Sequence, residues 1–192
     1  MAVGFRVSRA DRLHYHRHGQ ISGRVVMASV KRLALVLLVL FACVGCDQVT
    51  KYAAQRFLTP GTVITLADGA VRLQYVENTG AFLSLGAGLS DRLRYLAFTV
   101  ATSVVLGVIA SYLLLSRNLG RSSAFACSLI LAGGISNVMD RVLHGGAVVD
   151  FLNVGIGRLR TGIFNVADVA IVVGALTLLV AGVVRRGDQH CA

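Results

Sequence analysis

Two aspartates stand in apolar company. Asp168 is the sixth residue of an apolar run from Ile163 to Val184, with Asn165 one turn earlier on the same helical face. Asp150 sits in Ala147-Val148-Val149-Asp150-Phe151-Leu152. A carboxylate is costly to ionise in such surroundings, so each needs either a partner or a function. Two carboxylates brought together at low dielectric do not both ionise easily, and the pair titrates as a unit. The ionised member can take a proton from water while the protonated member donates to a carbonyl oxygen. That is the chemistry of an aspartic protease. Structural readings stand beside it: Asp168 paired with Arg or with helix backbone, Asp150 as a turn or cap residue.

Other polar residues offer less. Asp140-Arg141 reads as an internal ion pair, with Asn137 at i, i+4 from Arg141, and Asp47 and Lys51 share one helical face at i, i+4. No Gly-x-Ser-x-Gly segment or phosphate-cradling Gly loop followed by Lys is present. His14, His16 and His18 alternate in a basic segment with one nearby carboxylate, Asp11, and make a weak metal tract. No metal site at membrane depth and no cofactor are expected. Cys43-Val44-Gly45-Cys46 is a CxxC of the kind a disulfide-forming enzyme uses. Such an enzyme also needs a second pair in an outer loop, whereas Cys127 and Cys191 fall elsewhere. The preferred reading of Cys43 and Cys46 is two small residues in a packed helix.

The elements that position these groups follow from composition. The chain has 192 residues, 55% of them hydrophobic and 15% charged, and a mean hydropathy of +0.71. Soluble domains carry about a quarter charged residues, so there is too little charge here to clothe a water-facing surface. Disorder and a disulfide-stapled secreted module are excluded by the same figures. A helix needs roughly 20 apolar residues to cross the hydrocarbon core. Four spans are expected, at about 33–54, 95–115, 122–139 and 163–184. The first apolar run, Leu33–Cys46, is short enough for a signal peptide, and continuing it to Ala54 makes it a retained span with a polar outer end.

Net charge is +10, and its placement argues for a membrane rather than nucleic acid. With four spans both termini share a side, which holds 11 basic residues and two acids; the opposite side holds eight and seven. Basic residues mark the cytoplasmic side, so both termini are expected there. Residues 1–30 read as a flexible basic cytoplasmic tail, 31–186 as one four-span domain and 187–192 as a cytoplasmic tail. Met27, just before the first span, suggests a later start for the native product, which recovery of residues 2–10 by N-terminal sequencing would refute.

Outside the spans, residues 62–66 and 71–76 flank Ala67-Asp68-Gly69-Ala70, a hairpin signal. Residues 151–163 repeat it weakly around Gly155 and Gly157. The expected fold is a membrane α-helical protein of four spans with a small β element on the outer face. Its sheet edges could take up an extended peptide by strand addition.

Five segments, in order, resemble the lipoprotein signal peptidase (signal peptidase II) family. They are Asp47-Gln48-Val49-Thr50-Lys51, Val76-Glu77-Asn78-Thr79-Gly80-Ala81-Phe82, Gly133-Gly134-Ile135-Ser136-Asn137-Val138-Met139-Asp140-Arg141, Val148-Val149-Asp150-Phe151 and Phe164-Asn165-Val166-Ala167-Asp168. The resemblance covers about residues 30–184. It implies a membrane aspartic endopeptidase of the bacterial inner membrane with Asp150 and Asp168 as catalytic dyad near the outer leaflet. Asn78, Asn137, Arg141 and Asn165 would bind substrate or dyad. Asp47, Lys51, Asp140, Gly80 and Phe82 would support the site, Asp47 and Lys51 by pairing. The implied substrate is a diacylglyceryl-modified prolipoprotein, cut just before the lipidated Cys. Membrane lipid is the other expected partner, nucleic acid is not, and the expected working unit is a monomer.

Overall fold

The computed structural model describes residues 9–80, 88, 90–116 and 119–190. The chain forms two compact units, residues 1–35 and 36–192. In the first, the backbone is already helical at Arg9, the start of helix α1, Arg9–Phe57.

Among the described residues four helices are long and apolar enough to cross a membrane: Val30–Phe57 of α1, Arg92–Leu115, Arg121–Leu143 and Val166–Val184. The second of these is composite. A short turn, α2 (Asp91–Arg94), runs into a π-helical stretch, Tyr95–Val100, and then into α3, Ala101–Leu115. Helix α4 is Arg121–Leu143 and α5 is Val166–His190.

Helix α4 is the centre of the bundle. In its most apolar stretch 67% is buried inside the protein, against 17% in each of the other three. Those three instead expose Leu38, Phe41, Val104, Leu115 and Leu179, the side chains suited to hydrocarbon. Glycines let α4 and α5 touch. A Cβ on Gly133 would collide with the carbonyl oxygen of Ala167, and one on Gly174 would lie 2.7 Å from that of Ala126. Without a hydrophobic effect between helices in lipid, such close packing is a main source of association.

The first span is three residues longer at each end than the sequence reading, the second begins three residues earlier, and two further boundaries differ beside the polar cluster. Helix α4 continues four residues past Met139, because Asp140 and Arg141 are buried and bonded inside the protein rather than released to water. Helix α5 begins at Val166 instead of Ile163. The preceding chain is extended: Phe164 pairs with Leu152 as an isolated β-bridge. Asn165 therefore stands before the helix rather than on one of its faces.

The β element is a four-stranded antiparallel sheet in the order β1-β2-β3-β4, with β1 Ile64–Leu66, β2 Val71–Asn78, β3 Val148–Ile156 and β4 Leu159–Arg160. The hairpin expected around Asp68 is present, closed by a 3-10 turn over Ala67–Gly69. The weaker signal is a second hairpin, β3–β4, whose turn holds Gly157 at a φ of +58°. Strand β2 carries an irregularity between Leu73 and Val76, after which Val76 faces Asp150 and Asn78 faces Val148. Direct cross-strand partners project to the same face, so Asn78 and Asp150 share a side.

Candidate active site

Asp168 is the third residue of α5 and forms a reciprocal cap with Asn165. The Asp168 backbone N–H donates to Asn165 Oδ1 at 2.9 Å, and the Asn165 N–H donates back to Asp168 Oδ2 at 3.2 Å. This is a capping box with Asn and Asp in the two roles. It aims the carboxylate back over the helix start. Another free N–H of the first turn, that of Ala167, donates to Asp47 Oδ1 of α1 at 2.8 Å. Two carboxylates thus meet the positive end of the helix dipole.

Asp150 comes from β3 and is only 2% exposed. Its Oδ1 accepts from Asn165 Nδ2 at 2.7 Å and its Oδ2 from Asn78 Nδ2 at 2.9 Å. Asp168 Oδ1 accepts from Asn137 Nδ2 at 2.9 Å. Each of the four carboxylate oxygens therefore has an amide donor, and Asn165 serves both aspartates. The two line one cavity with Asn78, Gly80, Asn137 and Arg141. Its free volume is about 20 Å³, room for about one water molecule.

Burial pushes the Asp150 carboxyl up from 3.8 to about 6. The Asn78 hydrogen bond pulls against burial, the neighbouring Asp168 charge adds to it, and Asn165 and Lys51 pull back further. A carboxyl held there exchanges a proton near neutrality, which suits acid–base work.

Arg141 is buried along the same cavity. Its guanidinium donates to the Gly80 carbonyl at 3.3 Å and lies over the Phe98 ring, 6.0 Å from its centroid. Its Nε, also buried, has no hydrogen-bond partner among the described residues. The π-helical stretch supplies Phe98, in keeping with the tendency of such bulges to occur at functional sites. Gly80 also donates its N–H to Asn78 Oδ1 at 3.0 Å, fixing that side chain. Phe82 lies outside the described residues.

The expected Asp140–Arg141 ion pair is not formed. Consecutive helical residues do not face each other, and Asp140 turns instead to α1. Its Oδ2 pairs with Lys51 Nζ at 2.9 Å and accepts the Val149 N–H at 3.1 Å. Lys51 Nζ also pairs with Asp47 Oδ2 at 2.6 Å and donates to Asn137 Oδ1 at 2.9 Å. Gln48 and Ser136 complete this buried cluster. Gln48 Nε2 donates to Asp140 Oδ1 and to Ser136 Oγ, both at 2.9 Å, and Ser136 Oγ donates to Asp47 Oδ2 at 2.7 Å. Both lie within segments that carry the family resemblance, which implies no role for either. The available signal was position: Gln48 follows Asp47 in an apolar helix, and Ser136 precedes Asn137.

Cys43 and Cys46 are free thiols, Cys46 exposed and Cys43 half-buried. Among the described residues no group of three His, Cys, Asp or Glu side chains is placed to hold a metal ion.

Comparison with known proteins identifies the family. The family model for signal peptidase (SPase) II matches residues 39–184. The lipoprotein signal peptidase of Syntrophus aciditrophicus is 35% identical over 159 residues, 83% of this chain and 98% of that protein. That of Cupriavidus taiwanensis is 39% identical over 158 residues, 82% of this chain and 85% of its own length. A solved structure described as a bacterial membrane enzyme, determined by the in meso method at 2.3 Å resolution, superposes with a TM-score of 0.69 at 27% identity. The superposition covers 80% of this chain and 90% of that one.

Proposed function

Since the chain belongs to the signal peptidase II family, we propose that it is an aspartic endopeptidase cutting diacylated prolipoproteins before the lipidated Cys, with Asp150 and Asp168 as its dyad. One observation carries the mechanism: carboxylates from β3 and α5 share Asn165 and line one small polar cavity.

The dyad holds one proton between two carboxyls, since both do not ionise easily at close range. Water in the cavity loses a proton to the ionised member as it attacks the scissile carbonyl carbon. The protonated member gives its proton to the carbonyl oxygen. Collapse of the tetrahedral intermediate returns a proton to the leaving amine and restores the dyad. The protein amides on the carboxylate oxygens are already in place, so little reorganisation accompanies the charge movement.

A lipidated signal peptide already lies in the bilayer and reaches such a site laterally between helices. Exposing its scissile amide breaks helix hydrogen bonds, which Asn78 and Arg141 are placed to replace. The sheet is suited to hold the extended part of the substrate. By the basic-residue rule both termini face the cytoplasm and the site lies near the outer leaflet. On this reading residues 1–30 are a cytoplasmic tail, 31–186 the peptidase domain, and the working unit a monomer.

The test is cleavage of a diacylated precursor by the purified, reconstituted protein. Asp150→Asn and Asp168→Asn are each expected to abolish cleavage while the protein remains folded and inserted. Full activity in either variant overturns the dyad.

A further inference from the structure

We propose that Lys51 is a positioning residue for Asp168, acting through the orientation of the Asn137 side-chain amide; the proposal rests on the aspartic dyad reading. Lys51 is 2% exposed and belongs to α1, which contributes neither dyad aspartate. An ammonium group has three protons, and Lys51 Nζ has three acceptors: Asp47 Oδ2 at 2.6 Å, Asp140 Oδ2 at 2.9 Å and Asn137 Oδ1 at 2.9 Å. Ion pairing accounts for the bonds to the two carboxylates. It does not account for the third bond, to the amide that touches Asp168.

That bond decides which way the amide lies. With Oδ1 on Lys51, Nδ2 faces Asp168 Oδ1 at 2.9 Å. The reverse orientation sets an NH₂ group against the ammonium and turns the amide oxygen toward the carboxylate. The other donor to Oδ1 is weaker: Asn165 Nδ2 at 3.2 Å, which also reaches Asp150 Oδ1 at 2.7 Å and the Val149 carbonyl at 3.3 Å. Lys51 is therefore the stronger and charged reason for the orientation.

The orientation matters for the proton. An Asn137 that donates leaves Asp168 Oδ1 an acceptor and lets the shared proton sit toward the cavity. An Asn137 turned round would accept a hydrogen bond from a protonated Oδ1. The proton would then point away from the substrate carbonyl. Substrate would bind as before, but the chemical step would slow.

The experiment separates this role from simple charge balance. Lys51→Met is combined with Asp47→Asn and Asp140→Asn, which removes the lysine together with both carboxylate charges it pairs with and leaves one acceptor oxygen at each site. The purified variant is assayed on a diacylated precursor in lipid bilayers. The expected result is a kcat lowered about 100-fold, the scale of a misplaced catalytic group, with KM unchanged; the melting temperature falls, because each asparagine has one acceptor oxygen where the aspartate used two. A kcat near the parent value in the folded variant means that the lysine only balances charge, and overturns the proposal.

A second measurement does not depend on that variant folding. In protein labelled with ¹⁵N-asparagine, the Asn137 NH₂ signal, identified by its loss in Asn137→Ser, is expected to move on Asp168→Asn. A signal that stays fixed means that the amide faces the other way, which also overturns the proposal. Activity retained by Asp168→Asn overturns the dyad itself; an inactive Asp168→Asn beside an active triple variant overturns the lysine's role alone.

Discussion

Asp150→Asn makes a prediction about stability that is separate from catalysis. In the folded protein the Asp150 carboxyl titrates near 6, against an ordinary value of 3.8. At about 1.4 kcal/mol for each pH unit, the ionised group costs the folded state about 3 kcal/mol. Between the two values the folded chain binds more protons than the unfolded chain, so stability falls as pH rises. The penalty is about 1 kcal/mol at pH 4.5 and about 3 kcal/mol at pH 7.5, a change of about 2 kcal/mol. Asparagine carries no such penalty, but it loses something else. Asn78 Nδ2 and Asn165 Nδ2 both donate to Asp150, and an amide has only one oxygen to receive them. Leaving one donor unsatisfied costs about 1–3 kcal/mol at every pH. The relieved penalty equals or exceeds this loss at pH 7.5, where the variant should melt at or above the wild type. At pH 4.5 the wild type should gain about 2 kcal/mol on the variant, about 4–8 °C in Tm for a chain of this size. The assay is thermal unfolding of both proteins in one detergent or nanodisc across that range. A gap that does not change with pH, or that moves against the wild type on acidification, refutes the argument from burial.

Other predictions follow from single contacts. Gly174→Ala places a Cβ 2.7 Å from the Ala126 carbonyl and 2.8 Å from Ile130 Cγ1. It should destabilise the α4–α5 seam by about 1–3 kcal/mol, and an unchanged Tm would show the seam to be looser. Asp140→Asn weakens one of the two ion pairs of Lys51. It should lower folded yield and melting temperature by about 1–3 kcal/mol in stability, with turnover remaining; a stable, wholly inactive variant would place Asp140 in the chemistry. Cys43→Ser and Cys46→Ser should each leave precursor cleavage intact, and its loss would point to thiol chemistry instead.

The spans and the dyad candidates were legible because charge is scarce. Asp150 and Asp168 each interrupt an apolar run, and a carboxylate in such a place demands an explanation whatever the fold. The first hairpin was legible through Asp68-Gly69 between two alternating strands. What escaped was partner choice. Asp140 stands next to Arg141 in sequence, yet it bonds across the bundle to Lys51, 89 positions away. A helix turns about 100° per residue, so sequence neighbours point apart. The Asn165 cap was also hidden. Ile163 and Phe164 are as apolar as the helix that follows, and only the bridge of Phe164 to Leu152 shows that the chain is still extended there.

The capping of α5 has a consequence for the biography of the molecule. One aspartate precedes the last transmembrane segment in the chain, and the other lies in its opening turn. Asn165, which touches both, marks the seam between them. A ribosome that has released everything up to Phe164 has therefore made a membrane protein with half of the proposed dyad. On the proposed mechanism, proteolytic competence arrives only when the last helix has entered the bilayer and docked. The nascent chain is inert towards its neighbours while it is still being threaded. On that mechanism, activity is a property of the finished assembly.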